Sequence, residues 1–425
     1  MKLLKNSRET ALFLSLLRER TSGAGRIEGT VKKVLSEVRT KGDRAVLKYT
    51  EKFDFLKIRS IRISSAEIAR YAGKADRKIL KSLETAAKRI RAFHEMQREE
   101  SWSFSEDETV LGQIVRPLER IGVYVPGGKA SYPSTVLMNV IPAQVAGVDE
   151  IALCVPTPKN EINPSVMAAI MMLGVTEVYR IGGAQAIGAM AYGTRTMRRV
   201  DKIVGPGNIY VATAKRLVFG EVDIDMIAGP SEVLVIADET ADPVFTAADL
   251  LSQAEHDERA AAILVTDSLP FAKAVKEEIE HQLSGLERKG IAESSLESYG
   301  AIIVAKDLKH AAGLANEVAP EHLEVMTRNP FDLLPMIRNA GAIFLGPWTP
   351  EPLGDYVAGP NHTLPTGGTA RFFSPLGVYD FVKRSSLLSF SKAGFMKLAK
   401  TVETLSESEG LSAHGNTIKV RLDRR

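Results

Sequence analysis

EVYRIGGAQAIGAMAYG (residues 177–193) and VDKIVGPGNIYVATAKRL (residues 200–217) are the two stretches that decide the fold. Each opens on a short apolar run, breaks at a glycine loop and continues with apolar residues at helical spacing. Strand–loop–helix units in succession imply an α/β fold, a mainly parallel sheet with helices on both faces. Working outward, ERIGVYVPGG (119–128) is a strand running into a Pro-Gly-Gly loop, and EIALCVPTP (150–158) is another strand. Ligands of such sheets sit outside the carboxyl ends of the strands. The loops at Gly127, Gly183 and Gly205 all follow strands, so all three can share that edge.

A second series starts at AGPSEVLVIADETADPVFTAADLLSQAEH (228–256), a Gly-Pro-Ser-Glu loop leading into a strand and a helix. AAILVTDSLPFAKAVKEEIEHQL (261–283) follows, with Asp267 or Ser268 as helix cap. GAIIVAKDLKHAAGLANEVAPEHLEVMT (300–327) and NAGAIFLG (339–346) continue it. Upstream, residues 27–54 read as helix with a stop near Gly42, IRSIRIS (58–64) as a strand, and Ser64 to Met96 as helices. Gly23, Gly25 and Gly29 imitate a dinucleotide fingerprint, but they follow no strand and have the wrong spacing. After Phe372 the pattern turns to short helices and a final strand-like TIKVRLD (417–423). That tail is too small for its own core and is expected to pack on something else, a partner protomer included.

At 425 residues, two or more packed units are expected, and 44% hydrophobic with 25% charged residues is the composition of a globular protein. The 55 Lys+Arg and 52 Asp+Glu are spread through the chain, so no basic stripe points to nucleic acid. No segment is long and apolar enough for a membrane helix, and the chain reads as cytoplasmic. One cysteine, Cys154, lies in an apolar strand, which excludes an internal disulfide and a thiolate-rich metal site.

Polar clusters punctuate this frame. Gln253 and His256 stand three residues apart beside Asp249, a spacing that fits half of a metal site or an ordinary solvated helix face. Glu321 and His322 in APEHL (319–323) pair a carboxylate with the side chain best suited to proton transfer near neutrality. Asp355 follows Gly354 in a turn-like run, and Glu409 and His414 lie in ESEGLSAHGN (407–416). Together, Gln253, His256, Asp355 and His414 offer two imidazoles and two oxygens, a set suited to zinc.

These residues resemble the histidinol dehydrogenase family across nearly the whole chain. The motifs that carry the resemblance are VYVPGG, IGGAQAI, VDKIVGPGN, IDMIAGPSEVLVIAD through LLSQAEH, APEHL, GDY, NHTLPT, TVETL and SAHGN. It implies a four-electron oxidation of L-histidinol to L-histidine through the aldehyde, the last step of histidine biosynthesis, with two NAD reduced and one zinc (Zn2+) per subunit. Gln253, His256, Asp355 and His414 correspond to the zinc ligands, and Glu321 and His322 to the catalytic pair. Ser231 and Glu409 correspond to substrate contacts, beside the ligands and His322. Tyr124, Gln185 and Asn208 correspond to NAD contacts. The resemblance further implies a homodimer in which Glu409 and His414 reach the partner's site. Its fold implication is two Rossmann-like, aldehyde-dehydrogenase-like parallel-sheet domains, a helical N-terminal segment and a small C-terminal dimerisation tail. The corresponding division is 1–115 for the helical segment and first part of the catalytic domain, 116–235 for the NAD-binding domain, 236–372 for the rest of the catalytic domain, and 373–425 for the tail. Asp257 and Gly410 depart from the pattern, and His362 is given only a supporting role. A zinc hydrolase with the same ligands and no nicotinamide is the rival reading. The three glycine loops after strands weigh against it, because hydrolysis needs no dinucleotide cradle. A catalytically inactive binding protein of the same fold is a third reading.

Overall fold

The computed structural model describes residues 1–20, 25–127 and 132–424, so Gly23 and Gly128 lie outside the described residues. Contacts divide the chain into two units, residues 1–97 with 118–381, and residues 98–117 with 382–425.

The first unit holds two six-stranded sheets. In one, the order is Arg62–Ile63, Glu177–Tyr179, Glu150–Cys154, Arg120–Tyr124, Lys202–Val204, Asp223–Ile224. All neighbours are parallel except the two-residue edge strand Arg62–Ile63, which is all that becomes strand of the expected 58–64 run. Strand order reverses between Arg120–Tyr124 and Lys202–Val204, which creates the crevice where such sheets take ligands. The other sheet repeats the plan: Lys2–Leu4, Ala301–Val304, Ala261–Thr266, Glu232–Ala237, His322–Met326, Ala342–Leu345, all parallel. Its reversal lies between Glu232–Ala237 and His322–Met326.

Strands covered on both faces are apolar through most of their length, with charged residues mainly at their ends, as at Arg120, Glu150, Lys202 and Glu232. Val233, Val235 and Ala237 enter one core of the second sheet while Leu234 and Ile236 enter the other, as a period of two requires. In the first sheet Ala152 and Cys154 face one core and Leu153 and Val155 the opposite one. Cys154 is fully buried and burial pushes its thiol well up, as expected of a small packing residue.

The N-terminal region serves both sheets. Lys2–Leu4 adds a strand to the second, while Val31, Val34, Leu35 and Val46 pack into the first sheet's core. Within the range 1–115, expected to hold the helical segment and the first part of the catalytic domain, Arg98–Pro117 clusters with the C-terminal unit.

In that second unit Trp102–Glu106 and Thr109–Pro117 form a hairpin whose turn residues Asp107 and Glu108 have φ of 49° and 65°. Val382–Phe390 pairs antiparallel with Thr109–Pro117 along its full length. Two helices follow, Lys392–Ser408 and Ser412–Leu422. The strand expected at 417–423 is therefore helix, and the strand at 382–390 was not anticipated. The alternation in TIKVRL imitates a half-buried strand, but Gly415 sits against Ser406 and Ile418 is buried, and this helix–helix packing overrides local β preference.

Candidate active site

A cavity of about 790 Å³ opens between the carboxyl edge of the first sheet and the amino edge of the second. Pro126 and the loop Gly205–Asn208 supply one wall, Ser231, Glu321 and His322 the other, and His256, Asp355 and His362 line it too. The carboxyl-edge rule thus locates only the first sheet's half.

Glu321 and His322 owe their place to an abrupt helix end. The helix Leu308–Val318 stops at Ala319 in the left-handed region (φ 51°), and Pro320 cannot continue it. The chain then enters the strand at His322, which pairs with Val233 on one side and Ala342 on the other. Glu321 is buried, and its Oε2 accepts from the Glu232 backbone N–H at 3.1 Å. His322 Nδ1 lies 3.3 Å from the Glu232 carbonyl and 3.9 Å from Glu321 Oε2. Its Nε2 faces Asp355 Oδ1 at 3.5 Å and Glu351 Oε1 at 3.9 Å. Burial pushes the Glu321 carboxyl up to about 7, against the pull of His322. For His322, burial disfavours the charged ring, but the carboxylates of Glu321, Asp355 and Glu351 outweigh it and raise the imidazole to about 10. Burial works against ionisation of Asp355, yet His322, with His362 and His256 beyond it, holds it below its ordinary value.

Gln253 and His256 come from the helix Pro243–Ala254, capped by Asp242 with proline at its first position. The helix ends before His256, whose N–H closes a turn on the Gln253 carbonyl at 3.2 Å. His256 lines the cavity rather than extending the helix face. Gln253 is fully buried, and neither amide atom has a hydrogen-bond partner among the described residues. A buried amide with both atoms free can take an external partner, whether water, ion or ligand.

Beneath these groups lies an acidic layer of which sequence reasoning named only Asp249, missing Glu324 and Glu351. Glu351 is buried, accepts from Ser252 Oγ at 3.0 Å, and its N–H donates to Glu324 Oε1 at 2.7 Å. Burial pushes Asp249 up to about 6, and Glu324 is pushed up by burial and by Asp249. Ligand atoms of His322, Glu351 and Asp355 all lie within 4.8 Å of one another. The one available signal was Glu351 standing four residues before Asp355 in a short helix, Glu351–Tyr356. His362 Nδ1 donates to the Asp355 carbonyl at 2.9 Å, and its Nε2 accepts from Thr135 Oγ1 at 3.4 Å, which steadies the end of the helix carrying Asp355.

On the opposite wall, Asn208 caps the helix Ile209–Val218 through Tyr210 and Val211 N–H groups and lines the cavity. Gly205 has φ 110°, and a Cβ there would meet the Tyr124 carbonyl at 2.1 Å. The loop is held from below by buried Lys215, which donates to the Gly205 carbonyl at 3.0 Å and pairs with Asp225. Asp225 in turn accepts from Gly205 N–H at 2.8 Å. Tyr124 and Gln185 lie deeper: the Tyr124 hydroxyl accepts from Gly183 N–H at 3.1 Å, and Gln185 is fully buried with no amide partner among the described residues. Cβ atoms on Gly127 or Gly182 would each come within 2.6 Å of Pro156, so these loops pack as bare backbone.

Ser231 lines the cavity just before its strand. Glu409 and His414 belong to the second unit, at the end of one helix and in the first turn of the next, and both are exposed. Gly410 has φ 70°, so its glycine serves a left-handed helix end, and Asp257 accepts from Arg259 N–H in a local turn at 2.9 Å.

A family model described as histidinol dehydrogenase matches residues 17–422. A histidinol dehydrogenase of Syntrophotalea carbinolica is 56% identical over 399 residues, covering 93% of each chain. The crystal structure of histidinol dehydrogenase from Elizabethkingia anophelis superposes with a TM-score of 0.95 at 38% identity, over 100% of this chain and 98% of that one. An acetylating aldehyde dehydrogenase from Geobacillus thermoglucosidasius shares the fold, with a TM-score of 0.51 at 13% identity over 91% and 97% of the two chains.

Proposed function

The chain belongs to the histidinol dehydrogenase family, and from that premise we propose that it oxidises L-histidinol to L-histidine through the aldehyde, reducing two NAD in one cavity. The observation that carries this reading is the joint anchoring of Glu321 and His322 on Glu232, opposite the glycine loops of the first sheet. A dinucleotide cradle facing an acid–base pair suits hydride removal and has no use in simple hydrolysis.

His322 Nε2 has no hydrogen-bond partner among the described residues. Because the surrounding carboxylates raise the ring to about 10, it must first give up its extra proton, and the neutral ring then takes the hydroxyl proton as the carbinol hydride leaves for NAD. Glu321 accepts a proton from water as it adds to the aldehyde carbonyl, and the resulting hydrate loses its hydride to a second NAD. Water is the nucleophile because Cys154, the chain's one thiol, is sealed in the core of the first sheet. Tyr124, Gln185 and Asn208 hold the dinucleotide edge in this reading, and the unpaired Gln185 amide supports it.

Gln253, His256 and Asp355, with His414 of the partner subunit, are the proposed zinc ligands. The fit rests on the orphaned Gln253 amide and an oxygen- and imidazole-only donor set. When bound, the metal supplies positive charge that orients the substrate's nitrogens and offsets the Asp355 carboxylate. The close grouping of His322, Glu351 and Asp355 favours a second placement, which would occupy the proposed base. Metal content distinguishes them: His256→Ala should lose zinc while Glu351→Gln keeps it, and the opposite pattern selects the second placement. Ser231, and Glu409 from the partner, are proposed substrate contacts in a homodimer.

Stoichiometry tests the function. Two NADH per histidinol in the metal-loaded enzyme, and none after chelation, is the expected result. One NADH per histidinol, or turnover without NAD, would overturn it.

A further inference from the structure

Arg20 follows the helix Ser7–Glu19, far in sequence from every site residue, and its side chain is wholly buried. Its guanidinium donates to the carbonyls of Pro230 at 3.2 Å, Ser231 at 3.3 Å and Arg259 at 2.9 Å, and it pairs with Glu232. Glu232 Oε1 accepts from Gly367 N–H at 2.9 Å, so both carboxylate oxygens are engaged. Burial pushes the Glu232 carboxyl up, and Arg20 draws it back.

The consequence lies in the backbone of Glu232. Its N–H holds Glu321 Oε2, and its carbonyl receives His322 Nδ1. A proton kept on Nδ1 leaves Nε2 as the nitrogen that faces the cavity. The segment that makes both contacts enters from a Gly-Pro loop, Gly229–Pro230, whose Gly229 N–H donates to Thr366 Oγ1 at 2.6 Å. Arg20 braces the next stretch by gripping two successive carbonyls, 230 and 231, together with the Glu232 side chain. We propose that Arg20 is a positioning residue for the Glu321–His322 pair, acting through Glu232 to set the carboxylate and the ring tautomer. The proposal rests on the acid–base roles assigned above.

A buried ion pair that served stability alone could be exchanged for neutral groups without loss, and that contrast supplies the test. Arg20→Met leaves Glu232 buried and unpaired, so it should lose both stability and activity. The double variant Arg20→Met/Glu232→Gln leaves no unpaired charge and should regain most of the lost Tm. Its kcat should nevertheless stay about 10- to 100-fold below wild type, the cost of small displacements of catalytic groups. Its KM for histidinol should remain within about threefold. Recovery of kcat in step with Tm would overturn the proposal. Arg20→Lys keeps the charge but cannot span three carbonyls and a carboxylate; a near-native Tm with kcat lowered about tenfold or more is expected. A wild-type kcat in Arg20→Lys would also overturn it. Glu321→Gln measured alongside separates the two levels. If it is as active as wild type, the acid–base roles fail; if it is impaired while the Arg20 variants are not, only the positioning role fails.

Discussion

Glu321→Gln removes the proposed base with almost no change in shape. The amide oxygen can take the place of Oε2 and still accept from Glu232 N–H, so the 3.1 Å backbone contact survives. What disappears is a group able to accept a proton from water, together with a negative charge 3.9 Å from His322 Nδ1. Losing that charge lowers the His322 pKa, which leaves the alcohol step intact or eased. A positioned general base contributes about 10²–10⁴ in rate, or about 2.7–5.4 kcal/mol at about 1.36 kcal/mol per tenfold. Aldehyde oxidation should fall by that factor while oxidation of the alcohol changes by less than about threefold. Single-turnover NADH absorbance, started separately from histidinol and from histidinaldehyde, reads the two steps. Equal losses in both would refute the division of labour.

The pH dependence carries the same signature. Glu321 must be ionised to act, and burial lifts it from 4.5 to about 7, so wild-type aldehyde oxidation should decline as pH falls through about 7. The variant should show no such decline. Because the folded protein holds this proton more tightly than the unfolded chain, wild-type stability falls as pH rises from 4.5 to about 7. Glu321→Gln lacks that loss, and its Tm relative to wild type should rise across this window. A constant Tm difference would contradict the buried, raised carboxyl.

Further predictions concern the cofactor wall, the partner's ligand and the thiol. Gly205→Ala forces a Cβ into the Tyr124 carbonyl at a strained φ, and the KM for NAD should rise about tenfold, with the KM for histidinol little changed; equal rises in steady-state kinetics would detach this loop from NAD. Mixed dimers of His414→Ala and His256→Ala protomers should regain activity that neither parent has, since one site per dimer is then intact, and no recovery would assign His414 to its own subunit. Cys154→Ala should keep kcat within about twofold and lower stability by about 1 kcal/mol, as for a small buried group; a large loss of kcat in the aldehyde step would revive a thiol intermediate.

The parallel sheets were legible because strands buried on both faces carry apolar runs, as in residues 233–237 and 261–265. Glu321, His322 and Gln253 stood out as polar side chains beside such runs, but the local pattern left an ordinary structural reading open, and only the family resemblance gave them roles. The C-terminal helix was not, since TIKVRL has strand-like alternation and only its packing against the preceding helix makes it helical. Glu351 was hidden for a related reason: a glutamate two residues from a loop looks solvated until the fold places it beneath His322. Arg20 gave no local signal at all, because its partners lie more than two hundred residues away.

Composition, the apolar runs and the glycine loops by themselves determined the α/β class, the buried thiol and the families of polar side chain available for chemistry, since these follow from periodicity and local backbone freedom. Only the tertiary structure decided that the site joins the carboxyl edge of one sheet to the amino edge of the other. It alone placed three carboxylates around one imidazole, and it alone tied Arg20 to the strand that holds the acid–base pair. Those features depend on which chain segments become neighbours, and burial then sets their charges; neither is encoded in any short window of residues.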